Sequence, residues 1–265
     1  MNDKRAASIA DATNPNAGRI YDYVLGGHHN FEVDRLAAKE FLKIVPDYPQ
    51  MARLVRWFLG EAVRRLASDG FTQFVDFASG LPTVDHIHQI TSQGTKVIYS
   101  DLDPVTVAYG QEIIKDNPCV RYMVCDAAKP EDLLSSSVVT DLLGSPRKVG
   151  IGFNGIAFFL TDEQVGHASK TLYDWAEKGS RLFICDFDYV ENAAAMPHYN
   201  EGMNLWESMG QPMHWRSLSK LRELVAPWNE GDGFKPLEEW IGVKLPNADK
   251  KTPLADRLRG AILEK

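Results

Sequence analysis

Short runs of β-branched and aromatic residues alternate with helix-length segments through the middle of the chain, and this rhythm constrains the fold more than any other feature. The predicted strands lie at residues 73–77, 96–100, 121–125, 149–153 and 181–187. The predicted helices between them lie at residues 84–91, 104–115, 130–134 and 162–177. Strands that alternate with helices of this length predict a parallel sheet covered by helices on both faces.

The two flanks of this region follow other patterns. Apolar residues at helical spacing predict an amphipathic helix at residues 48–67 and a later helix at 217–225, whereas residues 258–265 suit either a last strand or a short helix. The length of 265 residues allows one large domain. We predict a single domain with a helical N-terminal extension or lid (residues 1–68), a cofactor-binding core (69–190) and substrate-side helices with the final strands (191–265).

Composition excludes several classes of protein. With 44% hydrophobic and 25% charged residues the chain is typical of globular domains, and no apolar run is long enough to span a membrane. The N-terminus has no apolar segment of the kind that a secretory signal needs, so we expect a cytoplasmic protein. A net charge of −7 disfavours nucleic acid as a partner. The 3 cysteines form no CxxC pair, which predicts reduced thiols and no bound metal.

The turn after the first predicted strand is the first candidate site. In an open parallel sheet, ligands lie beyond the carboxyl ends of the strands. The sequence there reads DFASGLPT, and it has a single glycine, Gly80, where a dinucleotide site needs GxGxxG to cradle two phosphates. A nucleoside cofactor without phosphates needs only one close backbone approach, so we predict that Ala78, Ser79 and Gly80 contact such a cofactor. The alternative is a plain strand-to-helix turn.

Acidic residues follow the second and third predicted strands. Asp101 comes about 20 residues after the glycine turn, where a carboxylate usually accepts the ribose hydroxyls, and Leu102 follows it. Asp126, followed by Ala127, is placed to accept from an adenine amino group. Helix capping is the competing role for Asp126 and the more typical one for Asp103, which precedes a proline.

These strand ends together resemble the class I S-adenosylmethionine-dependent methyltransferases. The likeness is closer in the leader, where the segment from Asn14 to Gly27 reads NPNAGRIYDYVLGG. That segment resembles the signature of a bacterial, largely actinobacterial family of S-adenosylmethionine methyltransferases. The similarity also covers residues 56–66, 74–83 and 99–104, and it thins out beyond Pro130.

This resemblance implies a Rossmann-like class I α/β fold, in which a seven-stranded, mostly parallel sheet carries a helical leader folded over the cofactor. The implied cofactor is S-adenosyl-L-methionine, with S-adenosyl-L-homocysteine as the product. By the same analogy Tyr21, Gly26 and Gly27 approach the methionine part, where an aromatic face suits the sulfonium cation.

Two positions depart from the family pattern. His28-His29 stands where the family has a Lys-Asp pair, and Phe158 stands where a histidine follows the fourth strand. Either change indicates a different acceptor or a chemistry other than methyl transfer. A protein that senses S-adenosylmethionine, or uses it for another reaction, is therefore an alternative. A nicotinamide-dependent oxidoreductase is a weaker one, because Tyr173 and Lys178 lack the spacing that places a catalytic pair on one helix face.

Candidate catalytic residues come from the fourth strand and from the histidines. Asn154 ends that strand, where methyltransferases place a polar residue that faces the transferred methyl or contacts the cofactor, although Asn-Gly also favours a turn. The nearby glycines at 150, 152 and 155 predict space for a ligand against the backbone. Histidine has a suitable pKa for a general base. The candidates are His28, His29, His198 and His214, and we favour the first two because the leader is expected to overhang the cofactor.

An aromatic and methionine-rich stretch predicts the acceptor pocket, although such residues at helical spacing also form ordinary cores. Arg216 is the predicted anchor for an acidic acceptor. We expect a small-molecule acceptor with an apolar or aromatic body, no membrane partner, and a chain that allows a homodimer. The predicted lining residues are Met196, Tyr199, Met203, Trp206, Met209, Met213 and Trp215.

Overall fold

A single sheet organises the protein. The structure is a computed structural model that describes residues 13–81, 85–145, 147–189, 197–243 and 255–265. Within these ranges, a 7-stranded sheet has the order β3-β2-β1-β4-β5-β7-β6. Strands β1 to β5 are parallel, whereas β7 is antiparallel to both β5 and β6. The strands are β1 (Gln73–Asp76), β2 (Lys96–Asp101), β3 (Val120–Val124), β4 (Gly150–Asn154), β5 (Arg181–Phe187), β6 (Lys235–Pro236) and β7 (Leu258–Glu264).

Helices precede, connect and follow the strands, and several begin at side-chain caps that the sequence supplies. Asp103 accepts a hydrogen bond from the backbone N–H of Val105, and Thr161 forms a capping box with Gln164. The helices are α1 (Ala17–Val24), α2 (Glu32–Ile44), α3 (Tyr48–Ser68), α4 (Ile87–Ile90), α5 (Pro104–Ile114), α6 (Glu131–Leu134), α7 (Ser137–Leu143), α8 (Asp162–Trp175), α9 (Pro197–Ser208), α10 (Leu218–Val225) and α11 (Leu237–Ile241).

The alternation of side chains along β1 shows how the sheet is covered. Phe74 packs in a cluster with residues of α3, α4 and α5, whereas Val75 packs in a second cluster with residues of α6, α7, α8 and α10. Adjacent strand residues point to opposite faces, so each face of β1 is buried under its own helices.

The leader packs on the carboxyl side of the sheet together with the C-terminal part of the chain. A third cluster of buried side chains joins Ile20 of α1, Phe41 of α2 and Phe58 of α3 to Trp206 of α9 and Leu258 of β7. Because segments far apart in sequence share this cluster, the leader is fixed over the ends of the strands.

The fold class predicted from the sequence is confirmed, and its five predicted strands agree with β1 to β5 to within one residue at each end. The predicted helix at 84–91 is observed only as the short α4, and residues 82–84 lie outside the described ranges. For residues 258–265 the strand alternative is correct, because β7 pairs with β5 along its whole length. Within the described ranges, no helix is both long and apolar enough to cross a membrane.

Candidate functional site

A cavity opens at the carboxyl ends of the parallel strands, under the leader. Polar groups at the ends of four strands line one part of it: Asp76 ends β1, Asp101 ends β2, Asn154 ends β4, and Asp126 follows β3. The cavity is partly open to solvent, and apolar and aromatic side chains line the rest of it, so one cavity offers polar and apolar contacts to a ligand.

The turn after β1 is tightly held and presents backbone to the cavity. Ala78 and Gly80 both have positive φ angles, 52° and 62°. The Ser79 hydroxyl donates to the Asp76 carbonyl oxygen at 2.8 Å, and the Ser79 N–H donates to the Ser100 carbonyl oxygen at 2.8 Å. A Cβ at Gly80 would have nothing within 4 Å, so a ligand can approach the backbone there. The predicted contacts Ala78, Ser79 and Gly80 all line the cavity.

Asp101 joins the ends of β1 and β2. Its carboxylate accepts from the backbone N–H of Gly80 at 3.1 Å and from that of Asp103 at 3.0 Å. Burial raises the pKa of Asp101 to about 6, against the opposing effect of these two hydrogen bonds. A carboxylate has about four acceptor positions, so Asp101 retains capacity for hydroxyl donors in the cavity.

The residues beside these acids also line the cavity. Leu102 and Ala127 supply apolar surface next to Asp101 and Asp126. Asp126 accepts from the backbone N–H of Ala128 at 2.9 Å, a bond within the turn after β3. This bond does not cap a helix, because α6 begins only at Glu131 and has Pro130 at its N-cap. One oxygen in this turn does not exhaust a carboxylate, so the turn and ligand binding are compatible at Asp126.

Asp76 is the most buried acid at the site, and burial raises its pKa to about 6. Its carboxylate requires a glycine at position 152, because a Cβ there would lie 1.9 Å from an Asp76 carboxylate oxygen. A Cβ at Gly150 would similarly meet the ring of Phe74. The prediction that these two glycines leave space for a ligand is therefore wrong, since protein side chains occupy the space. Gly155 does line the cavity.

Asn154 is held by α3 and faces the cavity. Its side-chain amide donates to the Val55 carbonyl oxygen at 3.0 Å, which fixes the orientation of the group. The Oδ1 atom is buried and has no hydrogen-bond partner among the described residues. A buried acceptor without a partner is costly, so a donor from a ligand would stabilise this arrangement.

Tyr21 is the leader residue of the cofactor prediction that lines this cavity. Its hydroxyl donates to the Ala52 carbonyl oxygen at 2.9 Å, and burial raises its pKa. The hydrogen bond fixes the ring on α3, so the ring forms part of the wall.

The other predicted leader residues line a second, neighbouring cavity. Gly26, Gly27, His28 and His29 all border it, together with Tyr21. The two cavities share the lining residues Gly18, Tyr21 and Arg56.

Contacts with other protein groups account for two of these residues. A Cβ at Gly27 would meet the Asp22 carboxylate at 2.0 Å, so this glycine accommodates Asp22. The His29 ring packs edge-on against Tyr109, with 5.3 Å between the ring centroids, and its Nδ1 atom is buried without a partner among the described residues.

The far part of the main cavity is aromatic. Trp206 is buried against Phe41 and Phe159, and Trp215 packs on Phe187. Of the predicted acceptor pocket, four residues line this wall: Met203, Trp206, Met213 and Trp215.

The remaining predicted acceptor and base residues are placed elsewhere. Met209 is buried in the third cluster of side chains, which packs the leader against α9 and β7. The backbone N–H of His214 donates to the Phe158 carbonyl oxygen, and neither Met209 nor His214 lines the main cavity. Met196 and the side chains of His198 and Tyr199 lie outside what the structure describes.

Arg216, the predicted acceptor anchor, is a buried structural residue instead. Its guanidinium donates to Asp186 at 2.6 Å and to Asp162 at 3.0 Å, and it also donates to two carbonyl oxygens of the turn after β4. It is not among the residues that line the cavity. These contacts use the guanidinium to join the ends of β4 and β5 to α8.

Sequence reasoning missed Arg56, the one cationic side chain among the described residues that line the main cavity. It lies on α3, half-buried, with Nη1 2.8 Å from Nε2 of His86 and its guanidinium carbon 5.5 Å from the centroid of the Tyr21 ring. The sequence signal that could have marked it as inward-facing is its helical spacing from two apolar residues of α3, Ala52 four residues before it and Leu59 three residues after it.

Strand order, the antiparallel seventh strand and a cavity at the carboxyl ends define a Rossmann-like class I methyltransferase fold. The chain belongs to the S-adenosyl methyltransferase family, whose model matches residues 3–240. No curated protein sequence matches the chain significantly.

Two solved structures are similar over almost the whole chain. A candidate methyltransferase from Thermobifida fusca YX has a TM-score of 0.85 and 25% identity, and the match covers 97% of each chain. A DUF574 family protein from Streptomyces avermitilis MA-4680 has a TM-score of 0.84 and 25% identity, with 97% of this chain and 99% of that chain covered.

A more distant structure shares the fold alone. Magnesium protoporphyrin IX methyltransferase from Synechocystis PCC 6803, with bound SAH, has a TM-score of 0.54 and 13% identity, with 97% and 98% of the two chains covered.

Proposed function

We propose that this protein transfers a methyl group from S-adenosyl-L-methionine to an O, N or C atom of a small-molecule acceptor with an apolar or aromatic body. The observation that carries the proposal is the continuous cavity that joins the polar strand ends to an aromatic wall. Membership of the S-adenosyl methyltransferase family supports the choice of cofactor, and the aromatic wall supports the choice of acceptor.

Three features of the polar end fit this cofactor. The backbone at Gly80 is open to close approach, Asp101 retains acceptor capacity, and Oδ1 of Asn154 is buried without a partner among the described residues. We expect Asp101 to hold the ribose hydroxyls, Asp126 the adenine amino group, and Asn154 the ammonium group of the methionine part.

When bound, S-adenosylmethionine supplies a methyl group that its sulfonium leaving group has already activated. The task left to the chain is to orient the acceptor and exclude water. Alignment of reacting groups can contribute about 7–11 kcal/mol to lowering a barrier. The rings of Phe158, Trp206 and Trp215 form a wall that suits this role, because they offer large, rigid apolar surfaces.

Proton removal from a hydroxyl or amine acceptor needs a base of suitable pKa. Burial raises the pKa of Tyr21 and of Tyr48 in the cavity wall, so neither phenol accepts a proton near neutral pH. We propose that His28 or His29, which line the neighbouring cavity, serves as this base. The buried Nδ1 of His29, which has no partner among the described residues, supports His29.

Calorimetric titration with S-adenosylmethionine, S-adenosylhomocysteine and NADH tests the cofactor. We expect micromolar binding of both adenosyl compounds, no binding of NADH, and a large loss of affinity in Asp101→Ala. Asp174→Ala is the matched control, because Asp174 is exposed in a surface pair with Lys170. Binding of NADH alone would overturn the proposal.

A screen of aromatic small molecules with methyl-labelled cofactor tests the transfer itself. We expect label in an acceptor product, and slower turnover with unchanged cofactor affinity in His29→Gln. Tight binding of both adenosyl compounds with no transfer to any acceptor would favour the sensing alternative.

A further inference from the structure

The charges that line the main cavity pose a problem for the cofactor proposed above. S-adenosylmethionine carries an α-carboxylate as well as its cationic groups, and the cavity wall already contains three carboxylates, Asp76, Asp101 and Asp126. An anionic ligand group in a half-buried site needs a cation or several donors to offset its desolvation. Among the described lining residues, Arg56 is the cationic side chain that can meet this need.

Arg56 is engaged less fully than the buried arginines of this protein. Arg19 bonds Asp34 at 2.9 Å and Asp103 at 2.7 Å, and Arg216 has two carboxylate partners of its own. No carboxylate within the described part of the chain forms an ion pair with Arg56. A guanidinium has five N–H donors in a fixed fork, so Arg56 keeps donors for a bidentate partner.

The surroundings hold this guanidinium in place. His86 is fully buried, and its pKa is lowered well below the usual value by burial and by the charge of Arg56. His86 is therefore neutral, and its Nε2 atom lies 2.8 Å from Nη1 of Arg56 and 2.5 Å from the Leu81 carbonyl oxygen. The Tyr21 ring lies on another side of the guanidinium, with its centroid 5.5 Å from the guanidinium carbon. The cation is thus oriented before any ligand arrives, which reduces the cost of binding.

We propose that Arg56 binds the α-carboxylate of the methionine part of S-adenosylmethionine, at the junction between the two cavities. The opposite polarity on the β4 side supports this orientation, because Asp76 and Oδ1 of Asn154 are acceptors that suit the α-ammonium group. This inference rests on the cofactor proposed above and extends it to a residue that contacts the amino-acid end.

Paired ligands that differ only in the carboxylate test the assignment. Wild type, Arg56→Gln and Arg56→Lys are titrated calorimetrically with S-adenosylmethionine and with its decarboxylated analogue. We expect wild type to prefer the carboxylate-bearing ligand by about 10- to 100-fold, the range for charge-assisted hydrogen bonds. Arg56→Gln should reduce this preference to less than about threefold while keeping its affinity for the analogue, and Arg56→Lys should restore part of the preference.

Arg53→Gln is the matched control. Arg53 lies one turn from Arg56 on α3, and it lines the second cavity but not the main one. This variant should keep the wild-type preference. If Arg56→Gln weakens both ligands equally, or if Arg53→Gln abolishes the preference, the assignment of Arg56 is wrong although the cofactor stands. If wild type binds neither compound, the proposed function fails and the assignment fails with it.

Discussion

Replacing Asp101 by asparagine should change stability and cofactor binding in opposite directions as the pH rises. Asp101 is half-buried at the cavity wall, and burial raises its pKa from 3.8 to about 6. The folded protein therefore binds this proton more tightly than the unfolded chain does. The stability that Asp101 contributes is fully present below about pH 4 and is lost as the pH rises through about 6.

The size of the effect follows from the two pKa values. Between pH 5 and pH 8 the carboxyl group of the wild type loses about 1.4 kcal/mol of its contribution to the free energy of unfolding. Partial exposure of Asp101 to solvent lowers the expected value to about 1 kcal/mol. The asparagine side chain does not titrate, so Asp101→Asn should gain about 1 kcal/mol on the wild type over this range. For a chain of this size that corresponds to about 2–4 °C in Tm.

Calorimetric melting curves of both proteins at pH 5, 6, 7 and 8 measure this difference. Substitution by Asn also lowers stability by an amount that does not change with pH, because Asn has one acceptor oxygen for the N–H groups of Gly80 and Asp103. Comparing the Tm difference across pH values removes this constant contribution. Cofactor binding should show the opposite trend. Wild-type affinity should rise as Asp101 ionises between pH 5 and 7, and at pH 8 the variant should bind about 10- to 100-fold more weakly.

The control is Asp174→Asn, in which an exposed acid of a surface pair is replaced, and its Tm difference should be flat from pH 5 to 8. If the Tm difference between wild type and Asp101→Asn is the same at every pH, Asp101 has an ordinary pKa and the reasoning fails. A cofactor affinity that falls in parallel for both proteins would exclude a role for the Asp101 charge in binding.

Three further substitutions test the packing around the site. Arg19→Met should lower the free energy of unfolding by about 3–5 kcal/mol in urea titrations, because it leaves two buried carboxylates uncompensated. The control Lys43→Met removes an exposed ion pair with Glu40 and should have little effect. Gly152→Ala should lower the Tm and weaken cofactor binding, since its Cβ would displace Asp76, and a wild-type Tm would contradict the packing described. Trp206→Ala should cost about 3–5 kcal/mol in the same urea titrations, and a cost below about 1 kcal/mol would mean that the aromatic wall collapses to fill the gap.

The sequence predicts most of the sheet because its strands are short, apolar and separated by recognisable caps. The acids Asp101 and Asp126 and the amide of Asn154 could also be predicted to share one cavity, since the carboxyl ends of parallel strands meet at one edge. Position along the strand carries this information, and no knowledge of side-chain contacts is needed.

The glycines and arginines could not be predicted in the same way. A glycine signals that something approaches the backbone, but whether the neighbour is a ligand or a protein side chain depends on the adjacent strand, as Gly152 shows with Asp76. Likewise, Arg216 and Arg56 look alike in sequence. Arg216 pairs with two carboxylates that are distant in the chain, Asp162 and Asp186, whereas Arg56 contacts the His86 ring and keeps N–H donors for other groups.

The leader segment that reads NPNAGRIYDYVLGG acts mainly through the contacts that hold it in place. Asn16 caps α1, Arg19 bonds Asp103 at the start of α5, and Asp22 accepts from the side chain of Asn30. These bonds fix α1 over the strand ends and so place Tyr21 in the cavity wall. Because Asp103 also donates its backbone N–H to Asp101 at the end of β2, loss of Arg19 should disturb the proposed ribose site as well as the fold. The leader thus determines how the cavity is enclosed, and the strand ends supply the polar groups that line it.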